Sequence, residues 1–177
     1  MSKYRTQLRS ALAGQRPITG AGITVTAGSE GYILHVLGPQ GGPDLARDLL
    51  PLSGGTPGAV RHVAPAQWFV VGEEPLSHDA LVAIQANLGS MVKIVDQSHG
   101  RVRIRVSGPM VERVLAKGTG VDLHESVFPL GRSTTCLIGH ISSHVTRISD
   151  DAFELIVLRG FAESLWDDLA QMSAEFA

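Results

Sequence analysis

Apolar and polar positions alternate most clearly between residues 101 and 106. Val102, Ile104 and Val106 fall on one side of an extended chain and Arg101, Arg103 and Arg105 on the other, because successive side chains of a strand point to opposite faces. The spacing predicts a strand with one apolar and one cationic face. Gly108-Pro109 then opens a helix whose Met110, Val111, Val114 and Leu115 form an apolar stripe, with Gly118 as its stop. TCLIGHI (135–141) and HVTRI (144–148) read as strands. Ser149-Asp150-Asp151 turns the chain into a third strand, FELIVL (153–158), and a last helix places Leu165, Trp166, Leu169 and Met172 on one side.

The first half carries a similar but weaker pattern. ITVTA (23–27) and YILHVL (32–37) are β-rich runs separated by Gly28, Ser29, Glu30 and Gly31, which reads as a hairpin. Pro43 opens a short helix carrying Leu45, Leu49 and Leu50, and Pro51 is expected to stop it. SGGTPG (53–58) is a loop, followed by strands around Val60–Val63 and Trp68–Val71. Ser77 is placed to cap the next helix, Asp79 suits its first turn, and Leu81, Ile84 and Leu88 share one face before Gly89.

The halves look like degenerate copies, about 21–90 and 91–177. YILHVLGP matches RVRIRVSGP, and WFVVG matches FELIVLRG, each leading towards a helix. The order strand–helix–strands–helix, twice, predicts an α+β fold with helices packed on largely antiparallel sheets. Residues 1–20 read as an N-terminal arm, sparse in large apolar residues and closed by Pro17, of the kind that frays or orders against a neighbour.

Composition narrows the function. The 177 residues are 44% hydrophobic and 18% charged, which fits one folded domain. A net charge of -2 gives no bulk attraction to nucleic acid or anionic membrane, and 5% aromatic residues leave few stacking platforms. A single cysteine, Cys136, rules out an intrachain disulfide and suits a cytoplasmic setting. The basic N-terminus lacks the apolar run of a signal peptide, and no window approaches the ~18 apolar residues of a membrane span.

Candidate chemistry is thin. Neither SGGTPG nor GTGVDL follows a phosphate-binding pattern, so turn geometry accounts for these glycines. His140 and His144 would lie about 13 Å apart along a strand, too far to share an ion without a tight turn at Ser142-Ser143. Asp96, Ser98 and His99 have the residue types of a hydrolytic triad, but no nucleophile elbow presents the serine, and a local turn is the simpler reading. Cys136 sits in an apolar strand without an activating neighbour. The Arg101/Arg103/Arg105 stripe is either a solvated face or a contact surface for an acidic partner or a phosphate-rich ligand. No catalytic, cofactor-binding or metal-ligating residue is assigned. Asp96, His99, Arg101, Arg103 and Arg105 are the candidate partner interface.

Several ordered blocks resemble one family: DQSHGRVRIRVSGP (96–109), VDLH (121–124), FPLGR (128–132) and FAESLWDDL (161–169). It is the gamma subunit family of heterotetrameric sarcosine oxidase, which is in turn similar to the folate-binding aminomethyltransferases of the glycine cleavage system. The latter carry a D-x-S-H block and a segment ending in G-G-x-x-D-D. Here that segment runs Gly139-His140-Ile141-Ser142-Ser143-His144, with Ser143 and His144 where the two acids would stand.

The resemblance implies a folate-binding aminomethyltransferase-like fold without the carboxylate of folate chemistry. It implies a complex that oxidises sarcosine to glycine, with FAD, FMN, NAD and tetrahydrofolate held on other subunits and no cofactor on this chain. The chain would pack against the alpha subunit, beside beta and delta, without a catalytic group of its own. The alternative is a free-standing folate-binding or aminomethyltransferase-like protein.

Overall fold

The computed structural model describes residues 9–54 and 58–176. The first eight residues of the expected arm and residues 55–57 of the expected loop lie outside them. The first half contains strands β1 (Ile18–Thr19), β2 (Thr24–Ala27), β3 (Tyr32–Leu37), β4 (Val60–Ala64) and β5 (Gln67–Gly72), with helices α1 (Ala46–Leu49) and α2 (His78–Leu88). The second half contains β6 (Lys93–Asp96), β7 (Arg101–Ser107), β8 (Ser133–Ile138), β9 (Ile141–Ser149) and β10 (Ala152–Leu158), with α3 (Val111–Ala116) and α4 (Ala162–Ser173). All pairings are antiparallel. They build a six-stranded sheet in the order β1-β2-β7-β10-β9-β8 and a four-stranded sheet in the order β4-β5-β3-β6.

The hairpin expected of ITVTA and YILHVL does not form. β2 leaves its sequence neighbour β3 and pairs with β7, while β6 leaves β7 and pairs with β3. Each half thus lends its leading strand to the other half's sheet. The registers match residue for residue. Val36 stands opposite Trp68 and Ile94, and Val106 opposite Phe153 and Val25. Just past each lent strand, Gly28 N–H donates to the Arg103 carbonyl and Gln97 N–H to the Ile33 carbonyl, both at 2.8 Å. A four-residue linker carrying two glycines is long enough for a hairpin. The pairing is instead decided by which neighbour buries the apolar side of the strand, and Val25 is fully buried against the second half.

Alternation sets the layers. On the six-stranded sheet, Ile104, Val106, Phe153, Leu155 and Val145 pack against Val111, Val114 and Leu115 of α3 and Leu165, Trp166 and Leu169 of α4. On the four-stranded sheet, Leu34, Val36, Trp68 and Val70 pack against Leu49 of α1 and the half-buried Leu81, Ile84 and Leu88 of α2. Burying each of the fully buried side chains stabilises the fold by about 1.5–3 kcal/mol. The other faces of the two sheets meet, with Ile33, Phe69 and Val71 against Ile156. The order is helices, sheet, sheet, helices.

Local signals mostly act as their chemistry dictates. Ser77 Oγ accepts the Ala80 N–H at 3.1 Å and Gly89, at φ 77°, ends α2. As expected, Pro51 follows closely on the end of α1 at Leu49. It occupies the start of a 3-10 turn over Leu50–Ser53, where a missing N–H costs nothing, and Gly54 at φ 67° ends that turn. The turn between β8 and β9 falls at Gly139-His140, with Gly139 at φ 59°, so Ser142 and Ser143 lie within β9. The described part of the arm is not frayed. Leu12 is buried in the larger core and Ile18–Thr19 forms the edge strand β1. Among the described residues no helix is long and apolar enough to cross a membrane.

Candidate functional site

The polar side of β7 does not face solvent along its whole length. It faces the second sheet, and its three arginines meet different fates. Arg105 is exposed. Arg103 is only 6% exposed and is saturated. Its Nε and Nη2 donate to the two oxygens of Glu154 at 2.9 Å each, Nη2 also to Glu73 at 2.6 Å, and Nη1 to Ser29 Oγ and the Gly72 carbonyl. Arg61 of β4 reaches across the sheets to the same Glu154 at 2.6 Å. Burial pushes the Glu154 carboxyl up, but Arg61 and Arg103 outweigh it and hold the group below the usual carboxylate range. Arg103 is therefore committed inside the chain, a placement the strand pattern alone did not disclose.

Arg101 is half-buried, with its guanidinium 4.9 Å above the Phe69 ring. Its Nε is buried without an acceptor among the described residues. The other side of the polar layer holds His144, 2% exposed, whose ring meets Phe69 edge-on at 5.2 Å. His144 Nδ1 lies 3.0 Å from Thr135 Oγ1, and Nε2 has no partner among the described residues. Burial, with Arg61, Arg101 and His62 nearby, pushes its pKa down to about 3, so the ring is neutral.

Asp96 ends the exchanged strand β6, and Ser98 and His99 lie in the linker that follows it to β7. Asp96 Oδ1 accepts from Ser98 N–H at 2.9 Å and Ser98 Oγ–H at 2.5 Å, while Ser98 Oγ accepts the Ile33 N–H at 3.0 Å. This is turn chemistry that pins the linker to β3. Asp96 and His99 are exposed.

The two linkers, 28–31 and 97–100, frame a cleft of about 100 Å³. Asp96, His99, Arg101 and Arg103 line it, and Arg105 does not. Glu30 and Arg159 also line it. Sequence reasoning missed both, and it missed Arg61, Glu73 and Glu154 of the buried network. A usable signal existed for Glu154 alone, as a charge inside the otherwise apolar run FELIVL.

His140 sits exposed at the hairpin turn, while His144 points into the layer between the sheets. Among the described residues no three His, Cys, Asp or Glu side chains gather into a metal cluster. Ser143 Oγ turns back to the Ile141 carbonyl at 3.3 Å and is buried. Burial raises the Cys136 thiol, keeping it protonated, with a smaller opposing hydrogen bond to Thr119.

Solved structures place this architecture. A chain of the heterotetrameric sarcosine oxidase from Corynebacterium sp. U-96, in complex with pyrrole 2-carboxylate, matches with a TM-score of 0.80 at 22% identity, over 96% of both chains. The glycine cleavage system aminomethyltransferase T from Bartonella henselae matches with a TM-score of 0.59 at 18% identity, over 86% of this chain and 46% of that one. Both likenesses establish the fold, mixed α and β with antiparallel sheets. No curated protein matches the sequence significantly. The family model described as sarcosine oxidase, gamma subunit family, matches residues 43–175. That match spans three quarters of the chain, and the chain therefore belongs to the sarcosine oxidase gamma subunit family.

Proposed function

We propose that the chain is the gamma subunit of a heterotetrameric sarcosine oxidase-type complex, packing against the alpha subunit and supplying no catalytic group. The observation that carries this reading is the family match over residues 43–175. The complex oxidises sarcosine to glycine, and its FAD, FMN, NAD and tetrahydrofolate sit on the other subunits, in the cytoplasm.

The geometry at residues 143 and 144 supports the non-catalytic part. Where the aminomethyltransferase pattern would put two acids, Ser143 and His144 are buried, with Ser143 Oγ turned to the Ile141 carbonyl and His144 Nδ1 to Thr135. The neutral His144 ring is a poor substitute for a carboxylate, because it brings no negative charge to an ammonium or iminium centre.

Two preparations test the reading. The chain alone is expected to be colourless, without sarcosine oxidase activity and without micromolar tetrahydrofolate affinity by calorimetry. Co-expressed with the flavoprotein subunits, it is expected to co-purify with alpha. Sarcosine oxidation by the isolated chain, or failure to enter the complex, overturns the proposal.

A further inference from the structure

The cleft at the two strand crossings is left unused by the subunit role. Its volume of about 100 Å³ admits a molecule of only a few heavy atoms. Part of its lining is apolar, from Ile33 and Val102. Part is cationic, from Arg101 and Arg159, and part anionic, from Asp96 and Glu30. Topology brings the two arginines together. Arg101 stands opposite Leu158 at the ends of β7 and β10, and the Arg159 N–H donates to the Gly100 carbonyl at 2.9 Å.

Neither arginine has a carboxylate partner among the described residues. Arg159 Nη2 donates to the Arg9 carbonyl. Arg101 lies over Phe69 with its Nε buried and unanswered. Arg103 in the same cleft shows the contrast, with two carboxylates around it. A half-buried guanidinium without a carboxylate partner favours an incoming planar anion, since its paired donors fit the two oxygens of a carboxylate. The anionic groups are also open. Glu30 has no ion-pair partner among the described residues, and both hydrogen bonds to Asp96 fall on Oδ1.

We propose that this cleft binds a small zwitterionic amino acid. Its carboxylate meets Arg101 and Arg159, its amine is directed to Asp96 and Glu30, and its short aliphatic part rests on Ile33 and Val102. The net charge of these four groups is zero, which matches a zwitterion better than a simple anion. The site goes beyond the subunit role and belongs to this chain alone, so it is testable without the complex.

The full-length chain, labelled with 15N, is titrated with glycine, sarcosine, acetate and methylamine and followed by NMR. Glycine or sarcosine is expected to give saturable shifts at amides of residues 28–31 and 97–101, with acetate and methylamine at least tenfold weaker, since each makes half of the contacts. Arg101→Ala and Arg159→Ala are each expected to weaken glycine and acetate several-fold and leave methylamine unchanged. Glu30→Gln is expected to weaken glycine and methylamine and leave acetate unchanged. Unchanged amide spectra away from the cleft show that each variant is folded. No saturable shift up to tens of millimolar, shifts that map elsewhere, or wild-type affinity in both arginine variants overturns the proposal. Failure here leaves the subunit assignment standing, because that rests on co-purification.

Discussion

Arg103 and Glu154 are joined by two parallel hydrogen bonds, Nε to Oε1 and Nη2 to Oε2, each 2.9 Å long, between the neighbouring strands β7 and β10. Arg61 adds a third donor from the opposite sheet at 2.6 Å. One carboxylate therefore compensates two buried guanidinium groups and ties the two sheets together. Glu154→Ala would strand Arg61 and leave Arg103 with Glu73 as its one carboxylate, and breaking a buried pair in this way costs about 3–5 kcal/mol. Urea unfolding is expected to show a loss of that order. Arg105→Ala, at the exposed end of the same stripe, should stay within about 0.5 kcal/mol of the parent. A Glu154→Ala variant as stable as Arg105→Ala would contradict the network.

The same layer dictates how stability responds to acid. Glu154 has a folded-state pKa held down by its arginines, so its contribution is present above the unfolded carboxylate value of about 4.3 and is lost as pH falls through the lower folded value. His144, neutral in the fold with a pKa of about 3, binds a proton in the unfolded chain below about 6.5. Stability is then expected to fall as pH drops from about 6.5 towards 3, with His144 adding a slope of up to about 1.4 kcal/mol per pH unit. Denaturant midpoints measured between those limits check it. In His144→Gln the slope between about pH 6 and pH 5, above the range of Glu154, should flatten. An unchanged slope there would mean that the ring is hydrated in the fold.

How much of this was legible beforehand differs by residue. The alternation of residues 101–106 placed β7 and assigned its apolar side to the core, because a period of two admits only one such arrangement. Ser77 and Gly89 marked both ends of α2 by cap chemistry that is local in sequence. The residue match of YILHVLGP with RVRIRVSGP reappears in the registers around Val36 and Val106. The strand exchange was not legible. A hairpin and a swap place the same residues in the same conformations, and only tertiary burial of Val25 against Val106 distinguishes them. The buried ion network was hidden for a similar reason. Arg103 pairs with residues 30 and 51 positions away, and no local pattern encodes that distance.

The two matched Gly-Pro turns are not equivalent. Gly108, after β7, has φ 124°, and a Cβ there would lie 2.6 Å from the Gly22 carbonyl oxygen. Its counterpart Gly38, after β3, is not in the left-handed region, and its nearest neighbours are side-chain atoms of Trp68 and Leu45 at 3.2–3.3 Å rather than backbone. Gly108→Ala is therefore expected to cost roughly 2–4 kcal/mol through backbone strain and the clash. Gly38→Ala should cost about 1 kcal/mol or less. Thermal unfolding of the two single variants decides the point, and equal losses would refute the asymmetry.

Ser98 separates an architectural reading of the Asp96-to-His99 block from a catalytic one. Its Oγ accepts the N–H of the buried Ile33 and donates to Asp96, so it locks the linker where the second strand crosses over. Ser98→Ala leaves that backbone donor without its acceptor, a cost of about 1–3 kcal/mol. Stability should drop by that amount, with hydrogen exchange at the Ile33 amide accelerating in step, because the lost protection is local. Sarcosine oxidation by a complex assembled with this variant should keep the parent kcat. A large fall in kcat with intact assembly and unchanged stability would instead make Ser98 part of a reacting site.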